Sequence, residues 1–307
     1  RIPLSLHGAA DPGPIAVPEW AGRCRLECPE PRYRFLFDAA ITSLVLHSPE
    51  DIYPGPYTYK RFWFRDAAFI AHAMICAGFP DRARRAIEAF FARQTRSGYF
   101  LSQDGEWDSN GEVLWLLDAY LRFTGEPMPA HWYAPVERAA RWIERKCLPE
   151  TPPSPHAGLM PAGFSAEHFG PNDYYYWDDF WSVAGLKAAA RMLGPADAGA
   201  GDRFSARAES LSGAVDRSLE RARVRLKGPA MPAAPYRRLD AGAVGSLAAG
   251  YPLGLFEPRD PRLLGTVGHL LEHCCVDGAF FQDMVHSGSN AYLTLHLAQV
   301  LLRAGDR

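Results

Sequence analysis

From Ala67 to Gly78 the chain reads Ala-Ala-Phe-Ile-Ala-His-Ala-Met-Ile-Cys-Ala-Gly, apolar on every helical face except at His72. A helix with that pattern is surrounded by protein. Pro80 to Gln94 differs. It sets Asp81, Arg82, Arg84, Arg85, Glu88 and Arg93 against Ala83, Ala86, Ile87, Phe90 and Phe91, which predicts an amphipathic outer helix opened by proline. The alternation continues: Gly111 to Phe123 is largely apolar and His131 to Lys146 amphipathic, while Asp179 to Leu193 is apolar and Ser205 to Arg223 strongly charged. Asp240 to Gly250 is small and apolar, Pro261 to His273 mixed, and Ala291 to Leu302 apolar again. With Tyr33 to His47 the pattern predicts about ten helices and no strand ladder, well above the usual one-third helix. The expected class is all-α, with inner helices packed around a common axis as a toroid of helical hairpins. Residues 1–32, rich in Pro and Gly, read as an irregular lead-in, and 33–307 as one helical domain.

The unusual polar residues fall at the starts of the inner helices. Arg65-Asp66 opens one, and Gln103-Asp104-Gly105-Glu106-Trp107-Asp108-Ser109-Asn110 the next. Trp177-Asp178-Asp179, Asp240, and Gln282-Asp283 with His286 and Asn290 mark the others. If the inner helices run in parallel, all five groups meet at one end. Capping explains Asp, Ser and Asn at helix starts but not Trp63, Trp107 and Trp177 beside them. The densest stretch, Asp173 to Trp181, sets Asp178 and Asp179 among Tyr174, Tyr175, Tyr176, Trp177, Phe180 and Trp181. Aromatic faces stack on sugar rings, and a carboxyl among them can be held protonated near neutral pH. The plainer reading is that these aspartates cap a helix and the tyrosines are core packing.

Composition narrows the partners. Of 307 residues, 33 are basic and 35 acidic, so neither nucleic acid nor another strongly charged partner is expected. Apolar runs break well before the ~20 residues of a membrane span. Cys24 and Cys28 have a metal-like spacing without a second pair, and His269 and His273 lack further ligands, so no metal and no cofactor are expected. Free thiols suit a reducing, cytoplasmic setting. The opening Arg1-Ile2-Pro3 is that of a processed form or of a segment with a further domain before it.

The order Phe-Trp-Phe-Arg-Asp-Ala-Ala, Gly-Glu-Trp-Asp-Ser-Asn-Gly, Tyr-Trp-Asp-Asp and Asp240-Ala-Gly, with Phe256-Glu-Pro-Arg-Asp-Pro-Arg further on, resembles the glucoamylase-like branch of the six-hairpin (α/α)6 glycosidases. The resemblance covers Tyr57 to the C-terminus. It implies an (α/α)6 toroid in which one hairpin is short, missing or supplied by a preceding segment. It also implies hydrolysis of an O-glycosidic bond of an oligosaccharide, of glucoside type and with inversion. The family's Arg-Asp pair, which grips the non-reducing sugar, falls on Arg65 and Asp66. Its general-acid glutamate is replaced by Asp178, one methylene shorter. Its general base is a glutamate in the last hairpin, and this chain has none after Glu272, leaving Asp283 as the nearest substitute and Glu106 as the reserve. Trp63, Trp107, Asp108, Asn110, Tyr176, Trp177, Asp179, Gln282 and His286 complete the expected substrate site. Without a competent base, the same pocket would make a catalytically silent sugar-binding or scaffold domain. A phosphorylase would need a phosphate site that no basic cluster suggests. His72, inside an apolar helix, reads as a core histidine.

Overall fold

The computed structural model of the chain describes residues 24–55, 61–165, 171–283 and 287–306, apart from the side chains of Asp283 and Ser287. Residues 1–23 of the lead-in, Tyr57, Tyr59, His286 and the Asp283 side chain therefore lie outside the described residues. The described helices are α1 (Pro31–Leu46), α2 (Phe64–Cys76), α3 (Pro80–Phe90), α4 (Ser109–Thr124), α5 (Tyr133–Lys146), α6 (Tyr176–Leu193), α7 (Ala198–Leu226), α8 (Pro261–His273) and α9 (Ala291–Ala304). The longest further turn of 3-10 helix, Ala241–Ala249, lies between α7 and α8.

Sequence chemistry sets these limits. Proline occupies the first turn of α1, α3 and α8, where its missing N–H costs nothing. Asp197, Asp260 and Asn290 cap α7, α8 and α9 through their side chains, and Gly125 and Gly305, at φ 72° and 83°, close α4 and α9 in the left-handed region. The Asp197 cap starts α7 seven residues earlier than the pattern predicts, since Ala198–Gly201 has no periodicity to reveal it.

The inner and outer layers follow the predicted alternation. α6 is buried on nearly every face, whereas α7 buries one stripe, Phe204, Ala208, Leu211, Val215, Leu219 and Ala222, at helical spacing. Each large side chain so buried contributes about 1.5–3 kcal/mol. α6 packs between α4 and α7, α4 on α2, and the 3-10 helix on α6, α8 and α9. Phe69 of α2 meets Tyr292 and His296 of α9 at centroid distances of 5.8 and 6.1 Å, joining the two ends of this series. Trp115, Trp177 and Trp181 fill the middle. The result is an all-α toroid of outer–inner pairs.

Within it α4 and α6 cross closely at glycine. A Cβ on Gly185 would lie 2.6 Å from Gly111 Cα, and one on Gly111 2.2 Å from Trp181 O. Only glycine allows this approach, and it sets the first turn of α4 against the second and third turns of α6. No helix among the described residues is long and apolar enough to cross a membrane.

Two expectations need correction. Asp240–Gly250 is a 3-10 helix, not an α-helix, through Ala241–Ala249. Of the C-terminal polar group Asn290 does open a helix, α9, but Gln282 and Asp283 lie on a strand of a small antiparallel sheet, β1 (Cys275–Val276), β2 (Ala279–Asp283) and β3 (Ser287–Ser289), in that order. Asp277 and Gly278, both at positive φ, make the tight turn between β1 and β2.

Candidate active site

The starts of α2, α4 and α6 meet around Arg65. Its Nε and Nη2 donate to Asp108 Oδ2 at 2.9 and 2.5 Å, its Nη1 lies 3.5 Å from Glu106 Oε1, and its Nε lies 3.8 Å from Glu112 Oε1. Trp177 Nε1 donates to the same Asp108 oxygen at 2.7 Å, and its ring centroid lies 5.8 Å from the guanidinium carbon. Arg65 is only 7% exposed, and Glu106, Asp108 and Glu112 are less so. In such a setting charge–charge interactions are far stronger than in water. Asp108 precedes α4 yet makes no capping bond with its side chain, which is turned to the guanidinium and the indole instead.

Asp178, on the first turn of α6, is fully buried in this environment, and neither carboxyl oxygen has a hydrogen-bond partner among the described residues. Burial raises its pKa well above the ordinary carboxylate range, and Asp108, Asp179 and Glu106 push the same way against Arg65. Asp66 is also raised, by burial first and with Arg65 opposing. The cluster thus favours a proton on Asp178, close to a guanidinium fixed by carboxylates.

Other expected residues are placed elsewhere. Asn110 is spent on backbone: its Oδ1 accepts from Phe100 N and its Nδ2 donates to Gly98 O and Ala139 O. Asp179 Oδ1 accepts from Met160 N, tying down the segment before α6, while burial raises its pKa as well. The Tyr176 hydroxyl lies 2.8 Å from Ser218 Oγ on α7, toward the outer layer. Trp107 packs among Tyr99 and Trp142, with Lys146 Nζ 3.7 Å from its ring centroid and its Nε1 donating to Ala162 O. Trp63 lies just before α2 under Arg61, 4.6 Å from its ring centroid. Gln282 accepts from Asn290 Nδ2 at the base of the sheet. Among the described residues no group of three or more His, Cys, Asp and Glu is placed to hold a metal ion.

Three participants escaped the sequence reading. Glu112 stands four residues after Asp108, hence on the same helix face, and an acid in the first turn of a largely apolar helix was the available signal. Tyr99 donates to Glu106 O at 2.6 Å, and its pKa is raised by burial and by the nearby Asp108 and Glu106. His296 is packed against Trp177, Phe69 and Tyr292, and burial brings its pKa down to about 4, so it is neutral. His72 lies 4.8 Å from Trp115, ring to ring, as a packing residue.

No protein-family model and no curated protein sequence matches the chain. Solved structures do. A glycosidase variant superposes with a TM-score of 0.67 at 16% identity, over 90% of this chain and 80% of that one. Another glycosidase variant, in complex with glucose, matches with a TM-score of 0.67 at 16% identity over 91% of this chain and 82% of that one. A rhamnosidase from Klebsiella oxytoca with rhamnose bound gives 0.67 at 16% identity, covering 93% of this chain but 54% of the rhamnosidase. At such identities the likeness is one of architecture, and the chain has the helical toroid fold of these glycosidases.

Proposed function

We propose that the chain is a glycoside hydrolase that cleaves an O-glycosidic bond of an oligosaccharide, with Asp178 as general acid. The observation that carries this reading is a fully buried carboxyl, raised in pKa and lacking an internal partner, at the start of α6 beside the Arg65–Asp108–Trp177 group. The protonated Asp178 gives its proton to the departing oxygen, and the sugar ring then carries oxocarbenium character that Asp108 and Glu106 stabilise. Arg65 and Asp66 bind hydroxyls of the terminal sugar. Glu106 or Asp283 activates water, and inversion requires that carboxyl to stand about 6.5–9.5 Å from Asp178. A glucoside is the first substrate to try, as the sequence resemblance and the glucose-bound fold relative both point there.

A second reading has its own observation. Arg65 is engaged by Glu106, Asp108 and Glu112, and Asp178 is closed off from solvent, an arrangement that also suits a sugar-binding domain without catalysis. The test is release of monosaccharide from α- and β-linked glucosides and rhamnosides, by wild type and by Asp178→Asn. The hydrolase reading expects one linkage to be cleaved and kcat to fall by about 10²–10⁴-fold in the variant. Absence of release from every linkage, with sugar still bound, would establish the silent domain instead.

A further inference from the structure

The tyrosine run before α6 divides in the structure. Tyr175 and Tyr176 are core residues, 1% and 0% exposed, but Tyr174 stays half-buried outside the helix. Two loops bring aromatic partners to it. His156, from the segment between α5 and α6, lies parallel to the Tyr174 ring at 4.2 Å and 7°. Tyr236, from the segment between α7 and the 3-10 helix, stands across it at 6.4 Å and 61°. The Tyr236 hydroxyl and His156 Nδ1 are 2.7 Å apart, which fixes both rings, yet 51% of Tyr236 is left in water. Packing uses the covered half of the ring and leaves the other half open. A ring held rigid by a hydrogen bond and presented to solvent is suited to stacking, because little side-chain freedom remains to be lost on binding.

The surroundings suit a neutral, hydroxyl-rich ligand. Arg237 is tied to Asp240 Oδ2 at 3.1 Å and reaches the Tyr175 hydroxyl at 3.4 Å, so its charge is matched. A cavity of about 630 Å3 follows along the same loop, with Arg238, Asp240, His269 and His273 as its polar lining. Tyr174 lies four residues before Asp178, so their Cα atoms are at most about 15 Å apart, within reach of a short oligosaccharide.

We propose that Tyr174, Tyr236 and His156 form a stacking platform on the rim of the toroid for the leaving-group side of an oligosaccharide, so that the substrate is a chain of several sugars. The platform rests on the hydrolase reading for its direction, since the bond to be cleaved lies at Asp178, but it binds sugar whether or not cleavage occurs.

The experiment measures binding by calorimetry and hydrolysis by sugar release, using α- and β-linked glucose oligomers from disaccharide to hexasaccharide. Wild type, Tyr236→Ala and Tyr236→Phe are compared, with circular dichroism confirming that each is folded. Affinity is expected to rise with oligomer length in wild type and in Tyr236→Phe, which keeps the ring. In Tyr236→Ala that rise disappears, with about tenfold weaker binding of the long oligomers and unchanged binding of the disaccharide. Tyr236-dependent binding without hydrolysis would retain the platform and remove the hydrolase reading. Hydrolysis with a length dependence that Tyr236→Ala leaves intact, or affinity that does not rise with length, would overturn the platform and leave the hydrolase.

Discussion

The starts of α4 and α6 and the starts of the 3-10 helix and α9 use the same residue types for different ends. At the second pair, Asp240 Oδ1 accepts from Gly242 N and Asn290 Oδ1 from Leu293 N, so both side chains satisfy the backbone they begin. At the first pair neither the Asp108 carboxylate nor any side chain at Tyr175 caps its helix, and Asp108 turns to Arg65 and Trp177. A carboxylate at a helix start is structural when the helix takes its hydrogen bonds. It is available for chemistry when the helix does not.

Substitutions at the two regions should therefore separate. Arg65→Ala leaves Glu106, Asp108 and Glu112 facing one another in a buried space, and about 3–5 kcal/mol of stability should be lost in urea unfolding. Gly185→Ala forces the α4–α6 crossing apart and should cost about 1–3 kcal/mol, with sugar release falling too as Asp108 and Asp178 separate. Asp178→Asn should do the reverse for stability, adding about 0.5–2 kcal/mol at neutral pH in thermal melts while lowering kcat by about 10²–10⁴-fold. The pH dependence gives that gain its sign. Burial raises Asp178 and Asp179 in the folded state, so the native protein binds more protons than the unfolded chain. Their contribution is complete below the unfolded value and is lost as pH climbs through the folded one, and Asp178→Asn should flatten that decline. The smallest effect belongs to the capping region: Asn290→Ala should cost about 1 kcal/mol and leave kcat unchanged. Equal losses of activity at Asn290 and at Asp178 would erase the distinction between the regions.

The alternation of apolar and amphipathic helices was legible because it reports one physical quantity, the number of faces each helix buries, as α2 and α3 show. Which residues at a helix start point inward was not. Successive residues on a helix are rotated by about 100°, so Asp178 and Asp179 cannot share a direction, and Asp179 goes to Met160 N. The same rotation sends Asn110 to the backbone of Gly98 and Ala139 while Asp108 and Glu112, one turn apart, face Arg65. The sheet at Cys275 to Ser289 is set by the Asp277-Gly278 turn, a signal readable in the sequence but overshadowed by the expectation of helix.

The cluster around Arg65 carries more acids than bases, and in it burial favours the protonated form of Asp178. A neutral sugar that bound at the cluster would alter how strongly Asp178 holds its proton, although it carries no charge itself. Its binding heat would then depend on the ionisation enthalpy of the buffer, and the difference between buffers would count the protons exchanged as the site fills.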